Sequence, residues 1–268
     1  MDKRVGKNGS SVFPRHTAAH LPTAVGGDGV YLIDSNGKRY LDACGGAAVS
    51  CLGHSARAVT DAVARQLSAL PYAHTSYFTS DAAERLASRL VGYSDGALDK
   101  VYFVSGGSEA VETALKLARQ YHLEAGAQSR AHFIARKQSY HGNTLGALGA
   151  GGNQTRKAPY QPMLAPVFHH IDPCHFWRWG AQGEKPAHYG LRMANQLEDK
   201  ILELGPKNVA AFIAETVVGA TMGAVPATRG YFTRIREICD KYGVLLILDE
   251  VMCGMGRTGS IFAWQQEG

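Results

Sequence analysis

Residues 101–122 limit what this chain can fold into more than any other stretch, and they read VYFVSGGSEAVETALKLARQYH. The pattern predicts a short buried strand over 101–104, a glycine turn over 105–108 and then an amphipathic helix. Glu109 and Glu112 are expected in the first turn of that helix, where acidic side chains suit the positive end of the dipole. A glycine turn that enters a helix directs several unpaired backbone N–H groups at one point, which is typical of a site for a phosphate or another dianion.

This turn leaves two interpretations open. Gly106 and Gly107 can form a tight turn that binds no ligand, with Ser108 as a helix cap, or they can hold a phosphate. No Gly-Lys-Ser/Thr follows, as a nucleoside triphosphate loop requires, and the glycine spacing differs from the dinucleotide fingerprint. The rest of the chain has to separate the two interpretations.

Composition limits the partners that we expect. The net charge of +5 comes from scattered residues, which argues against a nucleic-acid partner or an anionic membrane surface. The longest apolar runs, such as residues 244–248, are too short to cross a bilayer, and the N-terminal residues lack the apolar core of a signal peptide. The five cysteines form no CxxC pair, so we expect reduced thiols, no structural zinc and a cytoplasmic location.

The order of the predicted elements indicates the fold class. An irregular arm over residues 1–25 precedes a hairpin through Asn36-Gly37, and two amphipathic helices follow. Uninterrupted apolar runs then alternate with helical patterns, which predicts an α/β fold with a mostly parallel central sheet sandwiched by helices. The predicted helices are 56–70, 81–91 and 231–242, the predicted strands are 132–136, 210–215 and 244–251, and 172–190 is a long aromatic connection.

Polar residues follow the predicted strands and are expected to meet at one rim of the sheet, where open α/β sheets bind ligands. They are the glycine turn, an aromatic ring at Tyr140, and the carboxylates of Glu215 and Asp249. An anion site, a stacking ring and a carboxylate that keeps a ring nitrogen protonated would together suit a phosphorylated, cationic, aromatic cofactor. Pyridoxal phosphate has this chemistry.

Five segments in this order give the chain a resemblance to class III aminotransferases, which are fold-type I pyridoxal-phosphate enzymes. They are SGGSEAVETALKLARQYH, SYHGNTLGALG, FIAETVVGATMGAVP, YFTRIREICDKYG and LLILDEVMCGMGRTG. The resemblance covers nearly the whole chain, including LIDSNGKRYLDACGG near its start. It implies pyridoxal 5'-phosphate as the cofactor and the transfer of an amino group from an amine or amino acid to an oxo acid.

The resemblance also implies roles for particular residues. Thr216 stands where the family has a proline, and Met252 stands where many members have glutamine near the phenolic oxygen of the cofactor. The implied cofactor-binding residues are Gly106, Gly107 and Ser108 at the phosphate, Tyr140 on the pyridine face with His141 beside it, Asp249 at the pyridine nitrogen, Val251 on the opposite ring face, and Glu215 near cofactor and substrate. His169, His170 and His175 are interpreted as loop or core residues, since no closed set of metal ligands accompanies them.

The family's Schiff-base lysine follows the GRTG motif, and this chain ends at Gly268, before that position. We therefore expect the catalytic lysine beyond Gly268, and we expect this chain to be a fragment that is inactive alone. Residues 1–70 would belong to the small domain and 71–268 to an incomplete large domain. The resemblance further implies a homodimer for the intact protein.

Three rival functions stay open or are disfavoured at this point. An aminomutase or a decarboxylase of the same class would carry the same motifs. A non-catalytic protein that binds pyridoxal phosphate or another phosphorylated ligand would need no lysine. A nicotinamide-dependent enzyme is disfavoured by the glycine spacing. The sequence does not name the substrate. The groups that select it are expected in residues 44–54, 72–79 and 172–190 and in the C-terminal part expected beyond Gly268.

Overall fold

A computed structural model describes residues 11–13, 15 and 21–268, and most of the predicted N-terminal arm lies outside these residues. The chain divides into two compact units, one up to Asp81 and one from Ala82 to Gly268. The assignment of 1–70 to a small domain and of 71–268 to a large domain stays a prediction.

The first unit contains a three-stranded antiparallel sheet. Its strands are β1 (Ala24–Asp28), β2 (Tyr31–Asp34) and β3 (Arg39–Leu41), in that order. The predicted hairpin is confirmed, since β2 pairs with β3 through a turn in which Gly37 has a φ of 78°. Asp34 Oδ1 stabilises the turn by accepting hydrogen bonds from the backbone N–H groups of Asn36 and Lys38. Strand β1 was not predicted.

Helices follow this sheet, two of them at the predicted places and one that was not predicted. A short α1 (Gly45–Ala48) lies in the glycine-rich segment, and α2 (Arg57–Ala69) and α3 (Asp81–Gly92) match the two predicted amphipathic helices. Helix α2 exposes Val59, Val63 and Leu67, which recur at four-residue spacing on one face.

The second unit carries the remaining regular structure, which alternates strands and helices as predicted. In chain order its elements are α4 (Gly107–Glu124), β4 (His132–Arg136), α5 (Leu145–Ala150), α6 (Gln154–Lys157), β5 (Phe168–Ile171), α7 (Phe176–Trp179), α8 (Pro186–Leu204), β6 (Val209–Glu215), β7 (Val217–Val218), β8 (Val225–Pro226), α9 (Tyr231–Tyr242) and β9 (Leu245–Asp249). Short 3-10 helices cover Ala158–Met163 and Ala263–Gln266. The predicted connection over 172–190 contains α7 and the start of α8, so it is more regular than expected.

A parallel sheet of four strands, in the order β5-β4-β6-β9, forms the centre of this unit. The predicted α/β fold with a sandwiched parallel sheet is thereby confirmed. Every residue of β6 is buried. Its side chains alternate between two apolar clusters: Phe212 and Ala214 pack in the cluster formed with α8 and α9, while Ala211 and Ile213 pack in the cluster formed with α4 and α5.

Strand β9 is less buried than its sequence predicts. Residues Leu245–Leu248 are only half-buried, although the apolar run predicted a strand covered on both faces. Among the strands of the described residues, β9 pairs only with β6 and therefore lies at an edge of the sheet. The register of that pair places Glu215 directly beside Asp249.

The predicted strand over 101–104 is wrong. These residues form no regular structure, and Tyr102 is 78% exposed. A strand requires a hydrogen-bonding neighbour, and no strand among residues 21–268 pairs with this segment. The helix that follows is confirmed as α4, but because it begins at Gly107, Glu109 lies in its first turn and Glu112 lies in the second.

His170 supplies a test of the packing around α5. Its Nε2 lies 2.9 Å from the carbonyl oxygen of Ala150 and 3.0 Å from that of Gly151, and burial lowers its pKa to about 4. Between pH 6.5 and pH 4 the unfolded chain therefore binds a proton that the folded chain does not bind. The free energy of unfolding should fall by roughly 3 kcal/mol through this group as the pH drops across that window.

Denaturant unfolding of the wild type and of His170→Gln at several pH values measures this contribution. The variant should lose that part of the pH dependence, whereas His188→Gln, a substitution at an exposed histidine of α8, should keep it. An unchanged pH profile in His170→Gln would contradict the assignment.

Candidate active site

The carboxyl ends of β4, β6 and β9 meet at one rim of the central sheet, where parallel α/β sheets place their ligands. Strands β6 and β9 end in Glu215 and Asp249. The loop after β4 brings Tyr140 and His141 to these two carboxylates. Four of the residues predicted from the sequence are thus in contact as two pairs.

The N-terminus of α4 presents unpaired donors. Gly106 precedes the helix in an extended conformation, with φ −168° and ψ 169°. Within the part of the chain that the structure describes, the backbone N–H groups of Gly107, Ser108 and Glu109 donate no hydrogen bond. Three free donors at the positive end of an 18-residue helix form a site that suits a phosphate.

Ser108 joins this helix end to the loop after β4. Its Oγ donates to Asn143 Oδ1 at 2.9 Å and accepts from the backbone N–H of Asn143 at 3.0 Å. The loop can approach this closely because Gly142 has no side chain: a Cβ there would lie 2.6 Å from Ser108 Oγ. A Cβ on Gly107 would lie 3.1 Å from Val251 Cγ2, so the segment after β9 also reaches the helix end.

Asp249 and His141 form a buried pair. His141 Nδ1 lies 2.8 Å from Asp249 Oδ2, and the two side chains are 0% and 6% exposed. The other carboxylate oxygen, Oδ1, accepts the backbone N–H of Val251 at 3.1 Å. Since a carboxylate only accepts hydrogen bonds, Nδ1 of His141 is the donor in this assignment. The pair therefore fixes a carboxylate that can hold a cationic nitrogen.

The second nitrogen of His141 is a buried polar atom without a partner. Within the described residues, Nε2 makes no hydrogen bond. Buried polar atoms are nearly always satisfied, so Nε2 of His141 offers an unused hydrogen-bonding group beside the carboxylate of Asp249.

Glu215 is hydrogen-bonded to the backbone of the loop after β4 and to the segment after β6. Its Oε2 accepts the backbone N–H of Tyr140 at 3.2 Å, and its Oε1 accepts that of Gly219 at 3.2 Å. Burial raises the pKa of Glu215, an effect that His141 and these two N–H donors oppose. The fully buried guanidinium of Arg136 donates a hydrogen bond to the backbone carbonyl of Glu215. A direct contact of Glu215 with cofactor or substrate stays a prediction.

Sequence reasoning missed three contributors to this site. The guanidinium of Arg156 lies over the ring of Tyr140, 4.8 Å from its centroid. Glu112 accepts hydrogen bonds from the start of α5. Asn143 was part of a quoted motif but had no assigned role. Only Asn143 had a sequence signal, because it adjoins Tyr140-His141-Gly142; the other two contacts depend on tertiary packing.

These residues fit pyridoxal phosphate. The free N–H groups of α4 match its phosphate in charge, and the buried Asp249 carboxylate matches a protonated pyridine nitrogen. Two further side chains lie next to these groups: Val251 is apolar, and Tyr140 is aromatic. Among residues 21–268 and the few described before them, no group of three or more His, Cys, Asp or Glu side chains could hold a metal ion.

Comparisons with known proteins identify relatives of this chain. The sequence profile of the family described as Aminotransferase class-III matches residues 13–268. An uncharacterised aminotransferase of Schizosaccharomyces pombe is 49% identical over 247 residues, which are 92% of this chain and 54% of that protein. A probable aminotransferase of Mycobacterium tuberculosis is 41% identical over 262 residues, or 96% of this chain and 54% of that protein. The chain thus spans about half the length of these relatives.

Solved structures show the same likeness. The omega transaminase of Pseudomonas jessenii in complex with PMP superposes with a TM-score of 0.91 at 32% identity, over 97% of this chain and 58% of that one. A structure described as an omega-transferase of Vibrio fluvialis gives a TM-score of 0.85 at 32% identity, over 92% of this chain and 58% of that one. The likeness therefore extends over nearly all of the present chain.

Proposed function

The chain belongs to the class III aminotransferase family, and we propose that it supplies the cofactor site of a pyridoxal-phosphate-dependent transaminase. The reaction would move an amino group from an amine or amino acid to an oxo acid. One observation carries the proposal: the free N–H groups of α4 and the buried His141–Asp249 pair are held near one rim, linked through the 140–143 loop and Val251. This arrangement has one binding point for a phosphate and a second for a protonated ring nitrogen.

When bound, pyridoxal phosphate supplies an electron sink for carbanion chemistry. The chain's own residues would hold and orient it. Gly107 and Ser108 would bind the phosphate through backbone N–H groups, with Gly106 giving the turn its open approach. Tyr140 and Val251 would lie on the two ring faces. Asp249 would keep the ring nitrogen protonated, since a carboxylate stabilises a nearby cation, and His141 would fix the orientation of Asp249.

The catalytic lysine belongs to this proposal as well. We place it beyond Gly268 in a longer protein, so that the 268-residue chain would be inactive alone. The chain matches only 54% of the length of each of the two relatives compared above, and this supports the placement.

Two further parts of the proposal concern the setting of the protein. A homodimer is supported by the apolar face of α2, where Val59, Val63 and Leu67 are exposed in the first unit. A cytoplasmic location is supported by five cysteines that are all free. No helix in the described part of the chain is long and apolar enough to span a bilayer. Light scattering of the protein expressed from its complete gene would test the dimer.

A single half-reaction tests the proposed activity. The protein expressed from its complete gene is saturated with pyridoxal phosphate and mixed with a panel of primary amines and amino acids. Transamination predicts that the aldehyde form of the cofactor disappears while one equivalent of carbonyl product forms. Release of carbon dioxide or formation of an isomer would instead establish a decarboxylase or an aminomutase. Binding of the cofactor without any conversion across the panel would contradict the proposed activity.

A further inference from the structure

Glu112 makes a contact that the cofactor site itself does not require. It lies in the second turn of α4, and its Oε1 accepts the backbone N–H groups of Gly146 at 2.7 Å and Ala147 at 3.2 Å. Both donors are at the start of α5, 34 and 35 residues away in sequence. One carboxylate oxygen therefore ties two separate elements together through charge-assisted hydrogen bonds.

The fit around this carboxylate is tight. A Cβ on Gly146 would lie 2.4 Å from Glu112 Oε2 and 2.8 Å from Oε1, so a methyl group there would displace the carboxylate from its present position. On the same side, the buried Val111 and Leu115 of α4 belong to one apolar cluster with Ala147 of α5. The position of α5 against α4 is thus fixed by packing and by Glu112 together.

The two elements carry different halves of the proposed site. The first turn of α4 holds the free N–H groups for the phosphate. The residues before α5, Tyr140–Asn143, carry the ring-facing Tyr140 and the His141 that contacts Asp249. A second link, Ser108 to Asn143, is exposed to solvent, whereas Glu112 is half-buried. A contact shielded from water is the stronger of two otherwise similar ones.

We propose that Glu112 is a positioning residue that sets the spacing between the phosphate site and the ring site. This inference rests on the proposed function, because it assigns the two halves to one cofactor. Without the carboxylate, α5 and the loop before it would shift relative to α4. A cofactor of fixed length could then satisfy its phosphate contacts or its ring contacts, but not both at once.

The test uses two variants that break the contact from opposite sides. Glu112→Ala removes the acceptor, and Gly146→Ala inserts a methyl group into the place of the carboxylate. Glu124→Ala, a substitution at an exposed residue near the other end of α4, is the matched control. The protein expressed from its complete gene is titrated with pyridoxal phosphate, and the visible circular dichroism of the bound ring is recorded at saturation.

Both contact variants should bind pyridoxal phosphate about tenfold more weakly, as expected for the loss of one charge-assisted contact. They should also show a reduced ring dichroism at saturation, which a loss of stability alone would not cause. Glu112→Gln retains an acceptor oxygen and should recover part of the dichroism. The control should match the wild type in affinity and dichroism.

The outcomes separate this inference from the proposed function. If the wild type binds pyridoxal phosphate and both contact variants keep its affinity and dichroism, the positioning role is wrong and the proposed function stands. If the wild type itself does not bind the cofactor, the proposed function fails, and the positioning role fails with it.

Discussion

Replacing Asp249 with alanine in the complete enzyme should lower turnover by about 10²–10³-fold, the range typical of losing one preorganised electrostatic contact. The carboxylate is 6% exposed and is held by His141 at 2.8 Å and by the backbone N–H of Val251 at 3.1 Å. Its loss would leave the ring nitrogen of the cofactor without a negative charge to keep it protonated. Stopped-flow measurement of the half-reaction with a good amine donor would record the effect.

Two further variants test whether the loss of turnover is caused by the missing charge at position 249. Asp249→Asn keeps the shape and an acceptor oxygen without the charge, so it should be nearly as slow as the alanine variant. Asp199→Asn, a substitution at an exposed residue of α8, should leave turnover unchanged. Near-normal turnover in both Asp249 variants, with thermal stability retained, would remove Asp249 from the site.

The second large effect is expected from Gly142→Ala, which should weaken pyridoxal phosphate binding by about a hundredfold. Gly142 has a φ of +132°, which a residue with a side chain adopts only under strain of about 1–3 kcal/mol. The new Cβ would also lie 2.6 Å from Oγ and 2.9 Å from Cα of Ser108. Either the loop or the helix end has to move, and both belong to the proposed cofactor site.

A matched glycine separates the collision from the backbone strain. Gly183 has a φ of +77°, and a Cβ there would meet nothing within 4 Å. Gly183→Ala should therefore cost about 1 kcal/mol of stability and leave the cofactor affinity unchanged. Fluorescence titration of both variants makes the comparison. Equal affinities for Gly142→Ala and the wild type would show that the 140–143 loop is not part of the cofactor site.

Much of the fold could be predicted because the spacing of apolar residues follows the local geometry of helices and strands. Strand β6 is a continuous apolar run up to Glu215, and only a sheet covered by helices on both faces can bury such a run. The positions of Glu215 and Asp249 at strand ends then followed, because parallel strands bring their carboxyl ends to one rim. The resemblance to a known family predicted the roles of these residues, whereas the apolar pattern predicted their positions.

The missed features depend on partners that are distant in sequence. The segment 101–104 has the composition of a strand, but composition cannot supply the neighbour with which a strand pairs. The contact of Glu112 with Gly146 joins residues 34 apart, and Arg156 over Tyr140 joins a helix to a loop. Neither contact has a spacing that periodicity could reveal.

In the proposed function, one rim of this sheet binds both the phosphate and the ring of pyridoxal phosphate. The most direct measurement is a titration of the protein with the cofactor, in which phosphorus NMR reports the phosphate and ultraviolet–visible absorbance reports the ring. We expect one saturable site per chain, with inorganic phosphate competing and with both signals changing at the same cofactor concentration. A linear response without saturation, or saturation that Asp249→Ala and Gly142→Ala leave unchanged, would contradict the claim.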